Sequence, residues 1–488
     1  MRLFKSLSLL LVACVGVVYA KSAVGNRVLV VLEDEAQKGL YSKFWADLEA
    51  RDFQLTFESP RKDDVSLFRH GQLAYEHLLL TPPKSKGYGP SLTPKLLLDY
   101  VNAGGNVLLG LSSESGTPSA ISALLLEFDI SLPSDKTSVV VDHFNYDTVS
   151  AAEKHDVLLL DRPGPLRPDA VNFFGGDGVL AVPRAVGQTL GNASPLIAPI
   201  LKAPTTAYAY NPKEAAESLE EPFATGSQLS LISAMQARNS ARFVVLGSLE
   251  MLQDQWFDAS VKSSSSKNVK TVNRLFARQL TEWTFKEVGV LNVLSVQHQE
   301  VFSSKIVAAG TCSTCPAPSN GTEITGYGDY NPEIYRIKND VKYSIEISQY
   351  ARDHWEPFTV PENDDLQLEF SMLSPFHRIP LSPAATTLNS TVFSTTFTTP
   401  DQHGIFAFKV NYKRPFLTPI EEKNQVTVRH FAHDEWPRSW SISGAWPWIG
   451  GLWSVIVGFV CFTILWLYCE PPKEELERRR KLSVSSPK

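Results

Sequence analysis

The chain has 488 residues, 43% of them hydrophobic and 20% charged, with a formal net charge of -6 at pH 7. That length and balance allow two or three ordinary domain cores and argue against disorder. The mild acidity, with no long basic stretch before the C-terminal tail, argues against nucleic acid as a partner.

At the N-terminus, Arg2 and Lys5 precede an apolar stretch from Leu7 to Val18, and Val18-Tyr19-Ala20 stands where a signal peptidase reads. Residues 1–20 are expected to leave as a signal peptide, making Lys21 the mature N-terminus. Strand-like and helix-like segments then alternate. Arg27 to Leu32 is an apolar-rich run, and Tyr41, Phe44, Trp45 and Leu48 form one helical stripe. Strands are expected at Phe53 to Phe57, His77 to Thr81 and Asn106 to Gly110. Between the last two, Thr93 caps a helix with Pro94 at its first position and Gly104-Gly105 at its end. This alternation predicts a Rossmann-like α/β domain over 21–150, doubly wound around a largely parallel sheet.

Similar but less regular segments follow. Asp156 to Leu160, Gly178 to Val182, Leu229 to Ser233 and Ala241 to Leu246 are strand candidates, and Val272, Phe276, Leu280 and Trp283 line one side of a helix. These predict a second α/β unit over 151–290, with Ser263 to Ser266 as an exposed loop. Beyond Val290 the period becomes two. Val341, Tyr343, Ile345 and Ile347 alternate with polar residues, as do Leu366, Leu368 and Phe370, then Phe406, Phe408, Val410 and Tyr412. An immunoglobulin-like β-sandwich is expected over 291–440.

Ala445 to Cys469 is almost uninterruptedly apolar, with Trp446, Trp448, Trp453, Trp466 and Tyr468 near its ends. It predicts a transmembrane helix over 445–469. The tail, 470–488, carries Arg478, Arg479, Arg480 and Lys481, which the positive-inside preference places in the cytoplasm. Gly450, Ser454 and Gly458 are spaced by four and predict a packing face for another transmembrane helix.

Catalytic chemistry finds little support. The first strand-to-helix turn is Glu33-Asp34-Glu35, which would repel a dinucleotide's phosphates, so no cofactor is expected. In the turn from Gly110 to Gly116, Ser112 lacks the flanking glycines of a nucleophile elbow. The densest polar cluster is Asp142, His143, Asn145 and Asp147, then His155 and Asp156. Its spacing matches no zinc pattern, and a loop hydrogen-bonding its own backbone explains it more simply. No catalytic or metal-binding residue is expected. Cys312 and Cys315 have the spacing of a dithiol oxidoreductase, but the prolines that follow favour a local disulfide loop or idle thiols. Asn192, Asn320 and Asn389 head Asn-x-Ser/Thr sequons and are candidate glycosylation sites.

The chain resembles the DDOST-type subunits of oligosaccharyltransferase, the endoplasmic reticulum complex that moves a glycan from a dolichol carrier to asparagine. The resemblance rests on Val140 to Asp147, on Gln236 to Arg242 continuing to Gly247-Ser248-Leu249, on Phe285 to Leu291, and on Leu366 to Phe370. It implies a non-catalytic type I subunit with a Rossmann-like module that holds no nucleotide. Catalysis would lie on a polytopic partner subunit with its divalent metal. A ribophorin II-like subunit and a small multi-span subunit are further implied partners, and dolichol-linked oligosaccharide or acceptor protein are implied contacts. The competing readings are a stand-alone lumenal hydrolase or oxidoreductase, using His143 and Asp147 or the cysteine pair, and a sugar-binding membrane receptor.

Overall fold

The computed structural model describes residues 21–60, 65–83, 87–89, 91–161, 171–191, 194–212, 221–262, 268–304, 324–432, 445–470 and 472–484. The expected signal peptide and the loop at Ser263 to Ser266 lie outside these. The chain divides into two compact units, Met1–Arg429 and His430–Lys488.

The first unit is organised by a seven-stranded sheet. Its strands are β1 (Arg27–Val31), β2 (Gln54–Glu58), β3 (His77–Leu80), β4 (Asn106–Gly110), β5 (Ile197–Lys202), β6 (Ser230–Gln236) and β7 (Arg242–Leu246). They lie in the order β5, β6, β7, β4, β3, β1, β2. From β7 to β2 all neighbours are parallel, whereas β5 and β6 add antiparallel. Helices cover both faces, so the strands read as continuous apolar runs. Val28, Val30 and Val244 pack with Phe44 and Leu48 of helix Ser42–Glu49 and with Phe276 and Leu280 of helix Asn273–Thr284. Leu29, Val31 and Val245 pack with Leu97 and Val101 of helix Pro94–Asn102 and with Leu124 of helix Ser119–Glu127. Each fully buried side chain of this kind stabilises by about 1.5–3 kcal/mol. Thr93 caps its helix through Oγ1, 3.2 Å from the Leu96 amide, and Gly104 takes the left-handed conformation that stops it, at φ +97°.

The segment 151–290 differs from expectation. Val157–Asp161 and Val179–Pro183 form an antiparallel pair of their own, but β6 and β7 enter the first sheet, with Phe243 opposite Val107. The boundary at 150 therefore does not separate two sheets. Periodicity marks a strand but carries no information about its neighbour, and the open edge of β4 is taken by a strand from far along the chain.

After Gly289 the strand Val290–Ser304 starts two further sheets packed face to face. One is six-stranded and includes Asp340–Ala351 and Thr391–Thr398; the other is five-stranded and includes Gln367–Met372, Gly404–Tyr412 and Ile420–Arg429. Their inner faces meet through aromatic contacts such as Tyr343 on Phe408, with ring centroids 5.3 Å apart.

The α/β and all-β parts are joined at the amino ends of the parallel strands. Arg242, the first residue of β7, is fully buried and donates to the carbonyls of Trp283, Val288 (2.8 Å) and Gly289 (2.7 Å). Its backbone N donates to Asn106 Oδ1 at 3.1 Å, and Asn106 Nδ2 lies 3.2 Å from His77 Nδ1. His77 Nε2 is 2.9 Å from the Gly25 carbonyl, which makes it the protonated ring nitrogen. Gly289 sits at φ +71°, and a Cβ there would lie 2.6 Å from the Phe416 carbonyl. Trp283 Nε1 donates to that same carbonyl at 2.8 Å.

The second unit carries helix Trp446–Tyr468, whose 23 residues span about 35 Å at 1.5 Å each. It is long and apolar enough for one membrane pass. A second helix, Lys473–Val484, lies in the basic tail.

Replacing Arg242 with Met should destabilise the first unit by about 3 kcal/mol, because three charge-assisted hydrogen bonds to main-chain carbonyls are lost. Thermal unfolding of the full chain reads this, and an unchanged midpoint would refute the role given to Arg242. Burial lowers the His77 pKa to about 4 from 6.5, although the Gly25 carbonyl acts to raise it. At this group the unfolded state therefore binds more protons between these values, and the His77 contribution to stability falls by about 3 kcal/mol as pH drops from 6.5 to 4. Denaturant titrations of both proteins across that window should show the stability of His77→Asn rising relative to the native chain as pH falls, and a constant difference would refute the role given to His77.

Candidate functional site

Open α/β sheets bind ligands outside the carboxyl ends of their parallel strands. At that edge the turn after β1 is closed by its own acid: Asp34 Oδ1 accepts from the Ala36 amide at 3.0 Å, filling the helix-start position a phosphate would use. After β4, Ser112 Oγ accepts from the Glu114 amide at 3.3 Å and so serves its own turn.

Beyond β4 and β7 the edge opens into a cavity of about 490 Å³, walled by the loop 149–157 with Pro183, Arg184, Glu250 and Trp256. Arg184, held at φ +46°, aims its guanidinium between two acids. Nε donates to Glu250 Oε2 at 2.8 Å, and the opposite end of the group pairs with Glu114. Burial raises the Glu250 pKa above its ordinary value, partly offset by Arg184.

Of the cluster read from the sequence, Asp156 lines this cavity and the others stand behind its wall loop. Asp142 accepts from the Phe144 amide at 2.8 Å, Asn145 Nδ2 at 3.0 Å and Thr206 Oγ1 at 2.7 Å. Burial acts to raise its pKa, but these bonds outweigh that and hold it below the ordinary value. Asp147 accepts from the Ser150 amide (3.0 Å), Ser150 Oγ (2.5 Å) and the Lys262 amide (2.9 Å). Both carboxylates are thus committed to holding loops. His143 and His155 do meet, Nδ1 to Nδ1 at 2.5 Å, and His143 Nε2 lies 3.0 Å from Tyr208 Oη. Among the described residues no three potential metal ligands cluster.

The remaining expected residues are scattered. Asn389 is exposed in the turn before strand Thr391–Thr398. Cys312, Cys315, Asn192 and Asn320 lie outside the described residues. Gly450, Ser454 and Gly458 lie on helix Trp446–Tyr468, and a Cβ on either glycine would meet nothing within 4 Å. The sequence reading passed over Arg184, Glu250 and Trp256. Arg184 and Glu250 stand just past strands Val179–Pro183 and β7, and that position was the available signal.

The family described as OST48, N-terminal domain, matches residues 19–287, and the OST48 middle domain matches residues 322–470. The chain is 33% identical over 460 residues to the dolichyl-diphosphooligosaccharide–protein glycosyltransferase subunit wbp1 of Schizosaccharomyces pombe, covering 94% of this chain and 95% of that protein. It is 31% identical to the 48 kDa subunit of the same-named transferase from Arabidopsis thaliana, covering 91% and 93%. For the 48 kDa subunit of Danio rerio the identity is 30%, covering 91% and 92%. A solved putative ThuA-like protein from Parabacteroides merdae overlaps 53% of this chain and 89% of its own, at 12% identity and a TM-score of 0.28. The matches run through both the α/β and the all-β parts at 30% identity or more, and the chain belongs to the OST48 family.

Proposed function

We propose that the chain is an accessory subunit of an oligosaccharyltransferase complex in the endoplasmic reticulum membrane, serving N-linked glycosylation of proteins. The observation that carries this is the alignment of the whole body, not one motif, with relatives named as subunits of that transferase. In this reading the chain is non-catalytic and the transfer is performed on a polytopic partner. The commitment of Asp142 and Asp147 to backbone and side-chain donors of their own loops supports it. The parallel order β4, β3, β1, β2 supports a Rossmann-like core, and the two facing sheets support an immunoglobulin-like sandwich.

The topology in this reading is type I. Residues 1–20 are removed, the body is lumenal, and the tail from 470 is cytoplasmic, as the arginines at 478–480 favour. A ribophorin II-like and a small multi-span subunit are the further partners. Gly450, Ser454 and Gly458 give one of their helices a face for close approach. Asn192, Asn320 and Asn389 are the glycan acceptors, and Cys312 with Cys315 closes a short disulfide loop. Donor and acceptor contacts belong to the body in this reading.

Depleting the chain should leave sequons empty on many secretory proteins, read by site-resolved glycopeptide mass spectrometry; normal occupancy after confirmed depletion would refute the function. Gly458→Leu should reduce co-purification of the complex in mild detergent, and unchanged recovery would return the stripe to a simple anchor.

A further inference from the structure

The outer face of the five-stranded sheet is polar along most of its length. Paired positions on strands Gly404–Tyr412 and Ile420–Arg429 point outward together, and they read Asn411 with Glu421, then Lys409 with Lys423. Toward one end the pattern changes. Ile405, 66% exposed, stands opposite Thr427, and Thr427 in turn stands opposite Ile334 of strand Ile334–Arg336, 57% exposed. On the other side Ala407 pairs with Ser371, so the same register carries Leu373 to the level of Ile405. Leu373 is fully exposed in its turn at φ +50°, a conformation that branched side chains rarely adopt. Single apolar residues on a surface are ordinary, but these three lie in one row across neighbouring strands.

One step further the row is basic. Arg336 and Arg429 are themselves a cross-strand pair, two residues past Ile334 and Thr427 and so on the same face. An apolar strip beside guanidinium groups is complementary to a phospholipid surface, which offers acyl chains to the first and phosphates to the second. Covalent structure favours that partner. Strand Ile420–Arg429 ends at this edge, and after residues 430–445 comes the apolar helix Trp446–Tyr468. Those intervening residues reach about 55 Å at most, so this end of the sandwich is tethered to any membrane the helix crosses.

We propose that this end of the sandwich rests on the phospholipid surface. Leu373, Ile405 and Ile334 enter the boundary between headgroups and acyl chains, and Arg336 and Arg429 meet phosphates. The proposal rests on the reading of helix Trp446–Tyr468 as a membrane span, and gives the body a lipid contact of its own.

Photo-crosslinking of the full chain, in microsomes that hold the intact complex, tests it. Benzoylphenylalanine takes the place of Leu373, Ile405, Leu388 or Phe459 one at a time, and mass spectrometry identifies what each captures. Leu388 is the comparison, exposed in the turn before strand Thr391–Thr398. The other end of that strand meets Arg336, where Thr399 Oγ1 donates to the Arg336 carbonyl at 2.9 Å. Positions 373 and 405 should capture phospholipid several-fold more than position 388. Arg429→Gln should lower capture at position 373 about threefold, the scale of one exposed ion pair. Equal phospholipid capture at 373 and 388, capture of a protein chain at 373 and 405, or a yield indifferent to Arg429→Gln would overturn the contact. Phe459 lies in the helix and separates the two readings. Lipid captured there but not at 373 sinks this contact and leaves the span standing, whereas none at either position sinks the span as well.

Discussion

The buried guanidinium of Arg242 is the contact on which the architecture of the first unit turns. A strand's first residue reaches under the sheet and gathers carbonyls from Trp283, Val288 and Gly289. Those carbonyls end the last helix of the α/β part and begin the first strand of the all-β part. Burial lowers the Arg242 pKa to about 9, still high enough to keep its charge at neutral pH. The same amino edge carries Asn106 and His77 in one line of hydrogen bonds, extended by the Ala23 amide to the Lys286 carbonyl at 3.1 Å. The segment at Ala23 and the start of the sandwich are thereby tied to one row of polar side chains.

The two edges of the sheet carry different kinds of contact. At the amino edge the ion pair of Arg51 with Glu287, at 2.7 Å, is almost dry, and burial raises the Glu287 pKa to about 7 against the pull of Arg51. A pair held at that cost adds little net stability, but removing one member would strand the other. It fixes how the helix end meets the sandwich more than how tightly it does so. At the carboxyl edge the charges of Arg184, Glu114 and Glu250 face an open cavity. The membership of this chain in the OST48 family gives that asymmetry a use, since a subunit needs both a rigid body and a surface to offer.

Much of this was legible residue by residue. The apolar runs at Arg27, His77 and Asn106 and the Thr93-Pro94 cap are local signals, and they matched strands and a helix within a residue or two. The alternation at Val341 to Ile347 likewise marked one strand face, because a strand half buried against a second sheet must alternate. What could not be read was pairing across distance: nothing in the run Ala241 to Leu246 says that it lies beside Asn106–Gly110. The site suffered most from this. Of the dense polar cluster only Asp156 reaches the cavity wall, whereas Arg184, Glu250 and Trp256 are ordinary residues in their own neighbourhoods and are brought together only by folding. The strings from Gln236 to Arg242 and from Phe285 to Leu291, which carried the resemblance, turn out to be the two halves of the Arg242 junction.

The pairing of β4 with β7, residue 107 beside residue 243, sets an order of events for a chain synthesised from its N-terminus. Strands β1 to β4 can assemble early, but the open edge of β4 must wait while more than a quarter of the protein passes. An unpaired, wholly apolar edge such as Val107-Leu108-Leu109 is a template for the wrong partner. Long-range closure of this kind is slow. Before that closure Arg242 has nothing to gather, and the sandwich has no seat. Closure of this body therefore comes late, and the interval before it is when the open edge of β4 most needs protection from the wrong partner.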